Sequence, residues 1–235
     1  METMTLTENG ISTTKGLGEE KFTQCCLGAF RGKIYFQYDY RHYNNELFST
    51  LRPTLEQCRK ERDEWLKRKT VSFSGHRTNR IAKFTTDRQR LFIEVAHNTW
   101  SGIEERCIKK GYHTFLSGMA DGFDIIAAEE VLRLKKEYPY IRLKCVIPFK
   151  GQADRYPEVY KQRYDTILAQ ADEVITLSDH YFEGCFLRRN DFLLDNSAFL
   201  MVYYDAIAPV GGTFYTLKKA VERKMNFVNV CYNRT

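Results

Sequence analysis

Four loops of this 235-residue chain hold residue types suited to gripping an anion. They are Ser74-Gly75-His76-Arg77, the run Ser117-Gly118-Met119-Ala120-Asp121-Gly122-Phe123-Asp124, Ser178-Asp179-His180, and the stretch from Asp205 to Gly211-Gly212-Thr213. Glycine lets backbone N–H groups approach a phosphate without a Cβ in the way. A helix that follows adds unpaired N–H groups and the positive end of its dipole. Arg77 and Arg80 can add charge-assisted hydrogen bonds. His76 titrates near neutral pH and can donate to a phosphate or a base, or bond back to its own loop. Asp124, at a helix start, suits the dipole as a cap and also offers an acceptor to a ribose hydroxyl. The same glycines also serve tight βα turns, so each loop alone has a structural reading as well.

These residues need elements to position them, and from Thr70 onward the pattern supplies a regular set. Short apolar strands are expected at 71–74, 113–116, 141–147, 173–177, 198–203 and 226–230. Helices are expected between them. One places Ile93, Ala96, Trp100, Ile103 and Cys107 on a single face. Another, at 213–224, turns Leu217, Ala220 and Val221 inward. Alternation of this kind predicts an α/β fold with a doubly wound, mostly parallel sheet. Ligands of such folds sit beyond the carboxyl ends of the strands, where strand order reverses. All four loops lie at strand ends.

The N-terminal part is different. Residues 1–20 are polar and read as disordered. Residues 21–68 form an extension: an aromatic stretch at 22–50 with β-like alternation at 33–38, expected as a hairpin, then a charged helix at 54–68 anchored by Leu55, Cys58 and Trp65. Residues 69–235 make the main domain.

The formal charge of +6 is mild and the charges are mixed along the chain. That permits anionic ligands and does not favour nucleic acid, whose binders concentrate their basic residues. The seven cysteines form no C-x-x-C pair, no zinc spacing appears, and Cys107 and Cys145 read as core residues. No metal and no cofactor is expected. No eighteen-residue apolar run is present, and the start lacks the order of a signal peptide, so a cytoplasmic location away from the membrane is the expectation. G-x-S-x-G, the P-loop and G-x-G-x-x-G are all missing, which argues against serine hydrolase, P-loop NTPase and nicotinamide redox chemistry.

The segment from Ser117 to Ala128 resembles the S-G-x-A-x-G-I-D-x-x-A-A/H segment of DNA-processing protein A. Ser74-Gly75-His76-Arg77, the Arg189-Asn190 pair and Gly211-Gly212-Thr213 resemble the bacterial YpsA-like proteins. Both groups fall in the SLOG superfamily, which joins the SMF proteins to the LOG phosphoribohydrolases. The resemblance covers residues 69 to 231. It implies a Rossmann-like fold and a nucleotide or nucleotide-derived ligand, with homo-oligomers possible. By the family pattern Gly75, Arg77, Ser117, Gly118, Asp124, Gly211, Gly212 and Thr213 line the pocket, with Arg189 and Asn190 as further contacts and His76 beside them. Three activities stay open: a sensor or regulator with little or no catalysis, an N-glycosidic hydrolase of nucleoside monophosphates, and a single-stranded DNA binder. LOG enzymes carry P-G-G-x-G-T-x-x-E, whose Glu serves glycosidic cleavage. Here that position falls on Lys218, or on Thr216 if the motif is shortened, so the catalytic carboxylate is not where the family would put it.

Overall fold

A computed structural model of the chain describes residues 4–26, 32–82, 87–207 and 209–231. Phe30, part of the aromatic stretch at 22–50, lies outside these. The chain divides into two compact units, residues 1–67 and 68–235.

In the first unit, β1 (Glu19–Cys25), β2 (Tyr35–Arg41) and β3 (Leu47–Arg52) form an antiparallel sheet in that order, followed by helix α1 (Leu55–Lys67). The aromatic alternation has a clear cause. Phe22, Phe36, Tyr38, Tyr40 and Phe48 pack with Leu55, Cys58, Trp65 and Leu66 in one apolar cluster. The expected hairpin is therefore a three-stranded meander, because Leu47–Arg52 adds a third strand. The polar N-terminal residues also depart from expectation. Leu6 and Ser12 bridge, the Lys21 ammonium donates to the Thr13 carbonyl at 3.0 Å, and Arg41 Nε donates to the Thr14 carbonyl at 2.6 Å. Thr5 and Thr14 are fully buried. Backbone carbonyls held by two sheet cations order a segment whose apolar side chains Met4, Ile11 and Leu17 stay exposed.

The second unit begins with β4 (Thr70–Gly75), a single helical turn α2 (Thr78–Ile81) and the long α3 (Arg88–Arg106). It continues through β5 (Thr114–Ser117), α4 (Phe123–Leu134), β6 (Arg142–Ile147), α5 (Glu158–Gln170) and β7 (Glu173–Thr176). It ends with α6 (Cys185–Asp195), β8 (Phe199–Tyr203), α7 (Gly211–Glu222) and β9 (Asn226–Asn229). The six strands pair all-parallel in the order β7-β6-β5-β4-β8-β9, a Rossmann-like arrangement. From β4 the chain steps outward to β7, then returns to β8 on β4's other side, so strand order reverses between β4 and β8. There Gly75 pairs with Tyr203.

Both faces of the central strands are covered, so Val71, Phe73, Phe115, Leu143, Cys145, Leu200, Met201 and Val202 are all fully buried, and the hydroxyl residues between them, Ser72 and Ser117, are buried too. Burial drives the Cys107 and Cys145 thiols up to about 12, so both behave as inert core atoms. Two helix faces differ from the periodic reading. In α3 the buried positions are Leu91, Val95, Thr99, Gly102 and Ile103, while Ile93 is 63% exposed. In α7 Thr213, Thr216 and Ala220 face inward and Val221 faces solvent. In both, a small or hydroxyl residue takes a buried place that hydrophobicity alone assigns to its larger neighbour.

Residues 68–235 hold every strand and helix of the parallel sheet, so this unit expressed alone is expected to unfold in one cooperative transition with chemical denaturant. A molten or insoluble product, beside a well-folded full chain, would place part of its core in residues 1–67.

Candidate functional site

At the strand-order reversal lies a cavity of about 350 Å³. Its floor and walls come from four pieces of chain: Gly75, His76, Arg77, Asn79 and Arg80 after β4; Ala120 and Asp124 at the start of α4; Phe186, Leu187, Arg189 and Asn190 of α6; and Val210 to Thr213 at the start of α7. The size lies within the ordinary range for small-molecule sites.

Each piece is fixed by a specific contact. The His76 carbonyl accepts from the Phe123 N–H at 3.1 Å, which ties the first loop to the head of α4. His76 Nε2 accepts from the Asp205 N–H at 3.1 Å, and Arg80 holds the Asp205 carboxylate with two bonds, of 2.7 and 3.1 Å. Those contacts join residues 125 to 129 positions apart in sequence. Burial pushes the His76 imidazole below its usual range, outweighing the nearby Asp205 carboxylate, whose Oδ1 lies 3.1 Å from Nε2. Burial raises the Asp205 carboxyl, but the bonds from Arg80 and the Ile207 N–H outweigh it and hold it at about 2.

At the base of the cavity Arg189 is buried. It donates to the Gly118 carbonyl, to Asn190 Oδ1 at 2.9 Å, and lies 3.5 Å from Asp124 Oδ2. Burial lowers its pKa and raises that of Asp124, and each charge partly offsets the other's loss of water. Asn190 Nδ2 reaches the Gly212 carbonyl at 3.5 Å. Arg77 pairs with Asp121, and its guanidinium lies 5.6 Å from the Phe186 ring centre.

Helix α7 opens into this cavity without a side-chain cap, since Val210 at the N-cap position has no acceptor. Gly211 sits at φ +87°, a conformation that lets the backbone turn straight into the helix. The unpaired N–H groups of the first turn are the site's most direct anion donors.

Two comparisons bear on this arrangement. The YpsA family model, described as "YspA SLOG family", matches residues 71–230. The chain belongs to the YpsA family of SLOG proteins. A UPF0398 protein of Bacillus velezensis is 30% identical over 162 residues, covering 66% of this chain and 85% of its own length. The UPF0398 protein YpsA of Bacillus subtilis is 28% identical over 162 residues, 66% of this chain and 86% of its own. One from Bacillus pumilus reaches 35% over 157 residues, 65% and 81% of the two chains. Residues 4–70 match a second family model, DUF3873, described as "Domain of unknown function, B. Theta Gene description".

Nine of the expected site residues line the cavity of this YpsA-family unit: Gly75, His76, Arg77, Asp124, Arg189, Asn190, Gly211, Gly212 and Thr213. Ser117 and Gly118 stand behind it. The Ser117 hydroxyl donates to the Asp124 carbonyl at 2.9 Å and accepts from the Met119 N–H at 3.2 Å, so it shapes the loop. A Cβ on Gly118 would lie 1.7 Å from the Arg189 guanidinium, so this glycine makes room for a side chain, not for a ligand. Asn79, Phe186 and Leu187 also line the cavity and are not legible as site residues in the sequence, whereas Asp205, which opens one of the strand-end loops, stands outside the lining and holds His76 and Arg80. Among the described residues, no helix is long and apolar enough to cross a membrane.

Gly118→Val is expected to displace Arg189 and leave Asp124 buried without its partner, costing about 3 kcal/mol or more by denaturant unfolding. Gly212→Ala meets only Asn190 Nδ2, at 3.5 Å, and should change stability by less than about 1 kcal/mol. Gly212 is thus the position where ligand approach can be tested in a folded protein.

Acid sensitivity follows from the latch. His76 and Asp205 both have folded pKa values below their unfolded ones, so each contributes stability at higher pH that is lost on acidification. For His76 the loss starts as pH drops below about 6.5; for Asp205 it runs from 3.8 down to about 2. Asp205→Asn should remove the lower window, worth about 2 kcal/mol. A stability–pH curve with the same acid limb in both proteins would refute the latch.

Proposed function

We propose that this chain is a cytosolic module that binds a nucleotide or nucleotide-derived small molecule and acts as a sensor or regulator with little or no catalysis. The observation that carries this reading is the uncapped N-terminus of α7 facing a cavity at the strand-order reversal. Backbone N–H groups there suit a phosphate. The aromatic and aliphatic side of the cavity, Phe186 and Leu187, suits a base.

The hydrolase reading is weaker on geometric grounds. Lys218 points to solvent beside Glu222, and both side chains are at least half exposed. The Thr216 hydroxyl donates back to the Gly212 carbonyl at 2.8 Å within the helix. Asp179 is exposed and paired with Lys150, and Glu183 is exposed. Among the described residues, Asp124 is therefore the one carboxylate lining the cavity. Retaining and inverting glycosidases ordinarily use two. Single-stranded DNA binding has less support still, since the arginines of the cavity are each paired with an aspartate.

Thermal unfolding in the presence of a nucleotide panel tests the reading. A ligand at about a hundred times its Kd should add about 2.7 kcal/mol of stability. Gly212→Val should abolish that gain while the protein still folds. Release of free base from nucleoside monophosphates faster than about 1 s⁻¹, lost in Asp124→Asn, would replace it with the hydrolase reading.

A further inference from the structure

Resting on the nucleotide reading, we infer that the ligand's sugar is a ribose whose vicinal hydroxyls are held by Asp124, so that the site selects ribonucleotides over 2′-deoxyribonucleotides. Asp124 lines the cavity, yet is only 4% exposed. Its protein contacts are sparse for a buried carboxylate. Oδ2 accepts from the Ala120 N–H at 3.4 Å and faces Arg189 at 3.5 Å, both at the long limit of hydrogen bonding. Oδ1 accepts no hydrogen bond among the described residues. An ionised carboxylate has about four acceptor positions, so most of this one is unused. Leaving it so is costly unless a ligand supplies donors.

The position of this carboxylate restricts what those donors are. From the start of α7 to Asp124 the wall of the cavity is one amide and one guanidinium side by side: Gly212 to Asn190, Asn190 to Arg189, Arg189 to Asp124. A phosphate at the helix N-terminus therefore shares one cavity wall with a carboxylate whose open acceptor positions suit hydroxyl donors. In a 5′-nucleotide the sugar lies between phosphate and base, and the base's apolar surface in this cavity is Phe186 and Leu187. Charge gives the same answer. A carboxylate repels a second phosphate, so a ligand phosphorylated on the 2′ or 3′ oxygen is disfavoured. Acid residues in dinucleotide sites discriminate the 2′-hydroxyl by the same physics.

The test is calorimetric titration of the full chain with the four ribonucleoside 5′-mono- and diphosphates, their 2′-deoxy and 3′-deoxy counterparts, and inorganic phosphate. The expected result is that whichever ribonucleotide binds does so about 10- to 100-fold tighter than its deoxy counterparts, the range for hydrogen bonds to a charged group. Asp124→Asn should shrink that ratio to within about threefold. Equal affinity for ribo and deoxy forms in the unmodified protein overturns the ribose assignment and leaves nucleotide binding standing. A ribose preference that persists in Asp124→Asn overturns the role of Asp124. If Asp124→Asn does not fold, the ribo-to-deoxy ratios of the unmodified protein decide the matter. Absence of binding by every nucleotide overturns the nucleotide reading itself, and this inference with it.

Discussion

The buried guanidinium of Arg189 is the constraint around which the rest of the site is arranged. Taking a cation out of water costs several kcal/mol unless its donors are matched. The fold matches them with the Gly118 carbonyl, Asn190 and Asp124, drawn from the β5–α4 loop, α6 itself and the head of α4. Asn190 then extends the contact to α7. One charge thereby fixes the spacing of three helices whose ends open on the cavity. It also accounts for two sequence features at once. Gly118 must lack a Cβ because Arg189 occupies that space, and Asp124 must be acidic because a buried arginine needs a counter-charge.

The architecture of the parallel sheet is legible in the sequence because each strand is short, apolar and followed by a helix with its own stop signal. What fails is phase. Ile93 looks like a core residue and is not, since Thr99 and Gly102 take buried positions where bulk would not fit; a Cβ on Gly102 would come within 3.1 Å of Val230. In the N-terminal unit, Leu47–Arg52 alternates too weakly to announce a third strand. Residues 4–18 are ordered through backbone carbonyls, which every sequence possesses equally.

The site is legible as a set of loops, less so as a set of roles. Glycine and serine after strands point to the end of the sheet where the cavity lies, because the strand-end rule is topological. They do not say which glycine meets the ligand and which meets another side chain. Gly118 and Gly212 look alike in sequence, yet a Cβ on one would run into a guanidinium and a Cβ on the other would meet only an amide at ordinary contact distance. The latch of His76, Arg80 and Asp205 was invisible for a different reason. Its partners are brought together by the pairing of β4 with β8, and pairwise contacts across such a separation leave no local pattern.

Electrostatic balance then narrows how an anion can enter. The three arginines of the cavity face three aspartates: Arg77 with Asp121, Arg80 with Asp205, Arg189 with Asp124. Net attraction from these side chains is small, so on the proposed reading a phosphate would be drawn by directed N–H groups of α7 more than by bulk charge. The pairs are not equally firm. Arg189 is sealed in, and Arg80 is held by a bidentate bond to a carboxylate that stays ionised down to about pH 2. The Arg77 side chain is 40% exposed and rests on the Phe186 ring, and Asp121 is itself partly open to water. Exchanging Asp121 for a ligand phosphate costs Arg77 little desolvation, whereas the other two would each strand a buried acid. On the proposed reading the pocket would therefore divide its work: Asp124 would meet hydroxyls, the backbone at the start of α7 would meet a phosphate, and Arg77, whose side chain is the most exposed of the three arginines, is the cation best placed to exchange its carboxylate partner for a ligand.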